Sequence, residues 1–403
     1  SGRAPLSILE SILPLLTALM IAFMVIIFCM MILRRFNKIS AVEAIRMGNT
    51  GGNFALKGRL ALNKSKFLNS NVFLGIRDVI LRFKTYIILF LVFILSAFII
   101  IVPLNFLNTI QSPDFVTYMG IGKSDIILDL RQSDQIRKRF EEMVTYLKND
   151  QDVEKYAPFV TCKYEIINQD GVPESLYIET GDFTVFPIDY LKGEAPMLSN
   201  EIALSYLSAN ELEKNVGDKI ELILNKEQRT MVISGIYQDI TNGGKTAKAS
   251  IEPDHETASW YTINIIVNQD ISSKTAEYED VFKEAKVTDV EGYIKQTFSN
   301  TIAQLKLLII TAVIIAGLVI VLITSLFLKM LVAKDMSQIA IMRSIGISLK
   351  DIRIQYITKA LFVLNLGIVT GTVIANTLGQ SLLSAALSMI GASRIEFIIN
   401  PLE

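Results

Sequence analysis

The sequence predicts an α-helical membrane protein with four transmembrane helices and one α+β extracytoplasmic domain. Four apolar segments are each long enough to cross a bilayer, which takes roughly 20 apolar residues in a helix. A single polar stretch, 109–300, separates the second segment from the third. Basic residues are concentrated on one side of the apolar segments. The predicted spans are Ser11–Leu33, Thr85–Pro103, Lys306–Leu328 and Ile357–Leu378.

The charge distribution predicts the orientation of these spans. Residues 34–84 contain eleven Lys or Arg and two acidic residues, whereas 109–300 contains 19 basic and 33 acidic residues. Basic flanks stay in the cytoplasm, so 34–84 and 329–356 are predicted to lie inside and 109–300 outside. We therefore expect a multi-pass protein of the plasma membrane of a bacterial cell.

The predicted organisation follows the chain in order. It comprises a transmembrane helix (1–34), a cytoplasmic linker with an interfacial helix (35–84), a transmembrane helix (85–108), the extracytoplasmic domain (109–300), a transmembrane helix (303–333), a cytoplasmic hairpin (334–356), a transmembrane helix (357–380) and an extracytoplasmic end (381–403).

The segment before the second span has the pattern of an amphipathic helix. Within Asn63–Lys84, apolar residues recur at spacings of three and four, with basic side chains on the other faces. This pattern predicts a helix that lies in the membrane interface and leads into the span. Ordinary helix packing beneath the membrane remains the alternative. The residues predicted to form the interfacial helix are Phe73, Ile76, Arg77, Ile80 and Phe83.

The polar stretch has the pattern of an α+β domain. Asp125–Arg131 alternates like a half-buried strand, Ser133–Asn149 has the pattern of an amphipathic helix, and Glu201–Glu213 is a second candidate helix. Turn residues separate the other strand-like runs. These runs are Tyr164–Ile167, Ser175–Glu179, Lys219–Leu224, Thr230–Tyr237 and Tyr261–Val267. Cys29 and Cys162 lie in different compartments, so we expect no disulfide.

Several catalytic and binding classes find no support in the residues. Gly243-Gly244-Lys245-Thr246 resembles the end of a phosphate-binding loop, but the glycine that the motif requires is replaced by Asp239. The one histidine, His255, has no cysteine nearby and no nucleophile at a suggestive spacing. We expect no enzyme activity, no metal, no cofactor and no nucleic-acid partner for this chain.

The loop after the third span predicts a helical hairpin. Gly346 suits the end of a helix that starts near Lys334, and Ser348 with Asp351 forms a capping box for the next helix. Ile339, Met342 and Ile345 are predicted to form an exposed apolar stripe on the first helix. Such a helix is what a separate motor subunit could bind; a membrane-surface hairpin without a partner is the alternative.

The residues of this hairpin also resemble a known signature. Gln338–Gly346, followed by Asp351–Ala360 and the glycines Gly367 and Gly371, is similar to the signature of FtsX/MacB-like ABC transporter permeases. The resemblance implies that the hairpin is a coupling helix that docks on a cytoplasmic ATPase. The implied coupling residues are Gln338, Ile339, Met342, Arg343, Ile345, Gly346 and Lys350.

The resemblance extends over nearly the whole chain. The outer segment resembles the family's extracellular domain, and 37–46 resembles the tail that closes one repeat. A family repeat comprises a span, an outer domain and three further spans. Residues 1–50 then resemble the end of a first repeat, and 63–403 a second repeat without its final span. We therefore expect a piece of a longer polypeptide, with a tag scar before a complete four-span protein as the alternative.

One residue departs from the family pattern. The family often carries a glutamate at the position of Gln338, where it could pair with a basic residue of the ATPase. In this chain Arg343, Lys350 and the apolar stripe would contribute more to docking.

The resemblance implies a mechanical function. A cytoplasmic ABC ATPase dimer, which binds ATP and Mg, would move the coupling helix and through it the outer domain. The favoured function is export or extraction of a peptide antibiotic or a lipid-linked substrate at the outer leaflet. The alternative is a mechanotransmitter without transport, which relays motion to an extracellular hydrolase or a sensor kinase. Membrane lipid is the remaining expected partner.

Overall fold

The computed structural model describes residues 69–131, 135–167, 173–224 and 227–400, with four isolated positions between 23 and 30. Several predictions lie outside these residues. They concern the first span, Cys29, the tail 37–46 and the start of the predicted helix at Ser133. The chain divides into two compact units, the first formed by 1–105, 305–379 and 399–403, the second by 106–304 and 380–398.

The helices of the described residues differ widely in length. In chain order they are α1 Ser70–Leu81, α2 Phe83–Gln111, α3 Ile136–Asn149, α4 Tyr206–Glu211, α5 Ile271–Val281, α6 Val290–Thr297, α7 Ser299–Lys334, α8 Met336–Ser344, α9 Leu349–Ile374 and α10 Gln380–Ser388. A π-helical segment, Ala375–Gly379, joins α9 to α10.

Three helices in the described part of the chain are long and apolar enough to cross a membrane. They are Phe83–Gln111, Ser299–Lys334 and Leu349–Ser388, and they contain the second, third and fourth predicted spans. The predicted count of four is not tested, because the first span lies outside the described residues. The chain is therefore a membrane protein with an α+β domain between its second and third predicted spans.

In the first unit, α2 and α9 pack closely through small residues. A Cβ atom added at Gly371 would lie 2.8 Å from Cβ of Ala97. Small residues of this kind allow the backbones of membrane helices to approach each other. Near the same interface, Nδ2 of Asn105 donates a hydrogen bond to Oδ1 of Asn376 over 2.7 Å. Asn376 lies in the π-helical segment.

The second unit is built on one mixed sheet. Its strands are β1 Ile126–Leu130, β2 Val153–Ile167, β3 Pro173–Thr180, β4 Tyr190–Gly193, β5 Glu201–Ser205, β6 Lys219–Leu224, β7 Glu227–Tyr237, β8 Thr246–Ala249, β9 Ala258–Val267 and β10 Lys286–Asp289. The strand order is β10-β1-β9-β2-β3-β8-β5-β7-β4, and β6 pairs with β2 and β7. The pairs β3/β8 and β5/β7 are parallel, and the others are antiparallel.

The main core of this unit lies on one face of the sheet. Alternate residues of the central strands point into it, for example Leu128, Ile178 and Ile263, each at most 1% exposed. Phe140 and Leu147 of α3 pack into the same cluster. The amphipathic pattern of 133–149 therefore has a partner surface, and the observed helix begins at Ile136.

The structure corrects two assignments in the outer domain. Glu201–Glu213 is not one helix, because Glu201–Ser205 forms a strand between β7 and β8 and only Tyr206–Glu211 is helical. In the strand Glu201–Ser205, the residues from Ile202 to Ser205 are buried, as expected for an internal strand. The predicted half-buried strand near 126–130 is buried at every position, including Asp129.

The candidate phosphate loop is a turn. Gly243 and Gly244 have φ of +73° and +74°, and the strand Thr246–Ala249 follows them. A phosphate-binding loop leads into a helix, whose N-terminus receives the phosphates. The structure therefore agrees with the prediction that this segment is not such a loop.

Candidate functional site

The hairpin between α7 and α9 has well-defined local geometry. Helix α8 ends in a Schellman motif, in which the N–H of Gly346 bonds to the carbonyl of Arg343 and the N–H of Ile347 to that of Met342. Gly346 has φ of +91°, which favours glycine. The hydroxyl of Ser348 accepts from the N–H of Asp351 and donates to its carboxylate. The predicted helix stop at Gly346 and the N-cap at Ser348 are confirmed.

The two faces of α8 have different environments. Ile339 is fully buried in a hydrophobic cluster with Val79, Leu331 and Ile352. Ile341 and Ile345 lie on the opposite face, 54% and 72% exposed. The prediction of an exposed Ile339–Met342–Ile345 stripe is wrong for Ile339, because packing against the neighbouring helices sets the rotation of α8. The exposed face carries Gln338, Ile341 and Ile345 instead.

The other implied coupling residues divide by exposure. Gly346 and Lys350 are exposed, whereas Met342 and Arg343 are half-buried. Ile341 was missed by the sequence analysis, although its spacing from Gln338 and Ile345 is helical. The signal was present but ambiguous, because both sides of this short helix carry isoleucine.

A buried charge cluster lies at the start of α8. Asp335 is the N-cap residue, but its side chain makes no capping bond. Its Oδ1 accepts from Nη1 of Arg82 over 3.0 Å, and its Oδ2 accepts from the hydroxyl of Tyr356 over 2.9 Å. Asp335 is 3% exposed. The N-cap of α8 is thereby joined to the α1–α2 junction and to α9.

The second half of the cluster centres on Lys359 of α9. Its Nζ lies 2.8 Å from Oδ2 of Asp78 and 3.8 Å from Oδ2 of Asp335. Asp78 also accepts from the hydroxyl of Tyr86 over 2.8 Å, and its Oδ1 lies 3.4 Å from Nε of Arg82. Two carboxylates thus balance two cations. We call Asp78, Arg82, Asp335 and Lys359 the charge cluster.

Because the charge cluster is shielded from water, separating its members costs free energy. Moving one member away would leave its partner charged in a medium of low polarity, which costs several kcal/mol. The four residues therefore favour moving together. The cluster links α1, α2, α8 and α9, and within the fourth predicted span it places a charge, Lys359, against neutralising partners.

The local sequence pattern indicates only part of the charge cluster. Asp78, Arg82 and Tyr86 recur at a spacing of four, which indicates one helix face. In the sequence, Arg82 is one of the basic residues that flank the second predicted span. The pairing with Asp335, 253 residues from Arg82, has no local signal.

The start of the predicted interfacial helix, 63–68, lies outside the described residues, and within them the helix ends earlier than its pattern suggested. Helix α1 covers Ser70–Leu81, and Phe83 starts α2 after a break at Arg82. Gly75 and Val79 are its buried positions, and a Cβ atom at Gly75 would lie 2.8 Å from the carbonyl oxygen of Gln355. Ile80 and Phe83 are exposed, and Phe73, Ile76 and Arg77 are half-buried.

Comparison with protein families identifies the C-terminal part of this structure. Residues 310–403, which include most of α7, the hairpin and α9, match the family model described as FtsX-like permease C-terminal. This part of the chain is therefore similar to the C-terminal part of FtsX-like permeases. For 310–403 the match confirms the predicted resemblance to FtsX-like permeases, which are the membrane components of ABC transporters. In such systems the ATPase activity belongs to partner subunits.

Solved structures similar to this chain are domains from other permeases. The periplasmic region of MacB from Actinobacillus actinomycetemcomitans has 14% identity and a TM-score of 0.31, covering 45% of this chain and 95% of that one. A domain of a putative permease protein from Porphyromonas gingivalis has 11% identity and a TM-score of 0.28, covering 43% and 90%.

A third similar structure is the extracellular domain of the noncanonic ABC-type transporter YknZ from Gram-positive bacteria. It has 12% identity and a TM-score of 0.30, covering 41% of this chain and 100% of that one. At these identities and TM-scores, no inference about function rests on the three similarities. Comparison with curated protein sequences finds no match.

Proposed function

We propose that this FtsX-like permease couples ATP hydrolysis by a separate cytoplasmic ATPase dimer to movement of its extracytoplasmic domain, 109–300. The ATPase would bind ATP and Mg, and the permease would cross the plasma membrane several times. The observation that carries the proposal is the geometry of α8. One face of this helix is buried among the other helices, and the other face presents Ile341 and Ile345 to solvent.

The exposed face of α8 is suited to a protein partner. Gln338, Ile341 and Ile345 occur at helical spacing and are all exposed, and an amphipathic helix of this kind inserts its apolar side chains into a groove. Lys350 is exposed just after the hairpin turn and offers a positive charge at the edge of the same region. The surface supports docking even though Gln338 replaces the family's glutamate.

The charge cluster provides the connection from the docking helix to the membrane helices. A displacement of α8 acts on Asp335, which is bonded to Arg82 and Tyr356. Because separating these buried charges is costly, the displacement passes to the α1–α2 junction and to α9 instead of being absorbed at the hairpin. In sequence, α2 and α7 flank the extracytoplasmic domain, so motion of these helices reaches its two ends.

The spans support work at the outer face instead of a hydrophilic path. Their side chains are largely aliphatic, and Lys359, the charged residue inside the fourth predicted span, is neutralised by Asp78 and Asp335. Ionisable groups that line a transport path usually face a cavity. We therefore propose an amphipathic substrate at the outer leaflet, either a peptide antibiotic or a lipid-linked molecule.

The test compares full-length permease variants that co-purify with the cognate ATPase. Ile341→Asp and Ile345→Asp should each release the ATPase, because a carboxylate would be buried in the docking groove. Met197→Asp is the matched control, since Met197 is 61% exposed in the outer domain and far from the hairpin in sequence. Ile339→Asp is unsuitable, because it would place a charge in the helix core.

The outcomes separate docking from transport. Retention of the ATPase by both hairpin variants would overturn the docking assignment. In the wild-type complex, stimulation of ATPase activity by an added amphipathic peptide antibiotic supports transport. Unchanged activity, with docking intact, would instead favour relay to an extracellular partner.

A further inference from the structure

The outer domain buries a polar face of its sheet. Residues that alternate with the core positions point to the opposite side, and many of them are polar, such as Asp129, Thr161 and Asn264. These three side chains are 8%, 4% and 4% exposed. Polar groups are costly to bury unless they are paired or meet a polar occupant. A polar sheet face that is covered therefore requires an explanation.

Loops cover this face and leave space beneath them. The cavity has a volume of about 500 Å³ and is lined by residues of β1, β2, β3, β8 and β9. Aromatic side chains from the covering segments line its other side, including Phe183, Phe186, Tyr293 and Phe298. A cavity of this size, with aromatic walls and a few polar groups, has the character of a small-molecule site.

Most charged side chains at the cavity form ion pairs with one another. Nε of Arg131 donates to the carboxylate of Asp129. Lys248 pairs with Glu179 and lies between the rings of Phe183 and Tyr237, 4.8 and 5.2 Å from their centroids.

The remaining acid at the cavity is held by hydroxyls. Asp239 accepts hydrogen bonds from the hydroxyls of Thr241 and Thr246. With Lys286 at the edge, three acidic and three basic residues line the cavity. A strongly charged ligand would have to displace an existing pair.

Neutral hydrogen-bonding groups remain available. Among the described residues, the carboxamide of Asn264 and the hydroxyl of Thr161 have no hydrogen-bond partner, and both line the cavity. The sheet register places Thr161 between Trp260 on β9 and Glu179 on β3. The unsatisfied groups are therefore an amide and a hydroxyl beside an aromatic ring.

Flat aromatic surfaces adjoin these groups. Trp260 packs against Tyr177 at a centroid distance of 5.3 Å, and Arg131 lies 5.0 Å from the Trp260 ring. Aromatic faces carry partial negative charge and attract weakly positive C–H groups. A ligand that combines a face of C–H groups with a rim of hydroxyl or amide groups would satisfy both the rings and the unpaired polar side chains.

We propose that this cavity binds an uncharged saccharide unit, with one face of the sugar ring against the aromatic side chains of the covering segments and its hydroxyl or amide groups bonded to Asn264 and Thr161. The balanced charges disfavour phosphate-rich ligands, and the unpaired groups are of the neutral kind that sugar hydroxyls satisfy. This site goes beyond the coupling function and is independent of it, since its residues all lie in the outer domain.

The chain provides its own probe. Trp260 is the only tryptophan in the sequence, so its fluorescence reports directly on the cavity. The full chain, held in a detergent without sugar groups, is titrated with maltose and with N,N′-diacetylchitobiose. We expect a saturable change in fluorescence with at least one of them. Asn264→Leu and Thr161→Val should each weaken binding about tenfold, the effect of one lost hydrogen bond.

Matched measurements make the result decisive. Asn210→Leu, at an exposed position of α4, should retain wild-type affinity. Two variants at the cavity keep the test valid if one fails to fold, which thermal unfolding without sugar reveals. Absence of a saturable change with either sugar would overturn the proposal, as would unchanged affinity in the folded cavity variants. Saturation by N-acetylphenylalaninamide alone would show a peptide-like ligand and also overturn it.

Discussion

The guanidinium of Arg82 donates to the carboxylate of Asp335 over 3.0 Å and so joins the start of α2 to the N-cap of α8. Asp335 is the N-cap residue of α8, but its side chain makes no hydrogen bond to a backbone N–H of the first turn. Its carboxylate accepts hydrogen bonds from Arg82, at the α1–α2 junction, and from Tyr356 of α9. Because of these contacts, α8 cannot move independently of α1, α2 and α9.

Removal of the Lys359 cation should strongly destabilise the first unit. We expect Lys359→Met to cost about 3–5 kcal/mol, because it leaves Asp78 and Asp335 with one buried cation between them. Lys295→Met is the control, since its ion pair with Glu291 is more than half exposed and contributes about 0–1 kcal/mol. Thermal unfolding in detergent measures both. Equal losses of stability in the two variants would show that Lys359 contributes no more than an exposed ion pair does.

The two faces of α8 should respond differently to truncation. Ile339→Ala removes a fully buried side chain and should cost about 2–5 kcal/mol. Ile345→Ala, at a position 72% exposed, should change stability by less than about 0.5 kcal/mol. Thermal unfolding of the permease without its ATPase separates these values. A larger effect at Ile345 would contradict the observed rotation of α8.

The contact between α1 and α9 should not tolerate an added methyl group. In Gly75→Ala the new Cβ would lie 2.8 Å from the carbonyl oxygen of Gln355 and 3.0 Å from Cβ of Thr358, so the helices must separate. Overpacking of this kind costs about 1–3 kcal/mol. Gly317→Ala is the matched change in a helix with open space around the new atom, and it should be neutral or slightly stabilising. Destabilisation of the Gly317 variant alone would refute this packing.

The outer domain should lose stability as the pH rises from about 4 to about 6. Burial raises the pKa of Asp239 from 3.8 to about 6, although hydrogen bonds from Thr241 and Thr246 and the charge of Lys248 favour the ionised form. Between these values the folded state binds more protons than the unfolded state. Stability from this group is therefore present at low pH and declines towards pH 6, by about 3 kcal/mol in total.

Asp239→Asn tests this assignment, because an amide does not titrate. The pH dependence of unfolding, followed by the fluorescence of Trp260, should be flatter in the variant over this range. Parallel profiles for the two proteins would mean that another group accounts for the pH dependence.

Much of the local structure could be predicted from the sequence. Lys219–Leu224 was predicted with the observed bounds, and Tyr261–Val267 falls within β9. The end of α8 at Gly346 and the cap at Ser348 were predicted because glycine and serine act within a few residues of themselves. Glu201–Ser205 was missed because its strand partners, β7 and β8, follow it in the chain.

The sequence by itself determined the three long apolar helices of the described residues and the turn and cap of the hairpin, because hydropathy and capping act over short stretches of chain. Only the tertiary structure decided which isoleucines of α8 face solvent, since Ile339, Ile341 and Ile345 are chemically equivalent and packing alone distinguishes them. It also assembled Arg82, Asp335 and Lys359 into one buried cluster. Such pairings depend on helices that are distant in sequence, so no local pattern of residues specifies them.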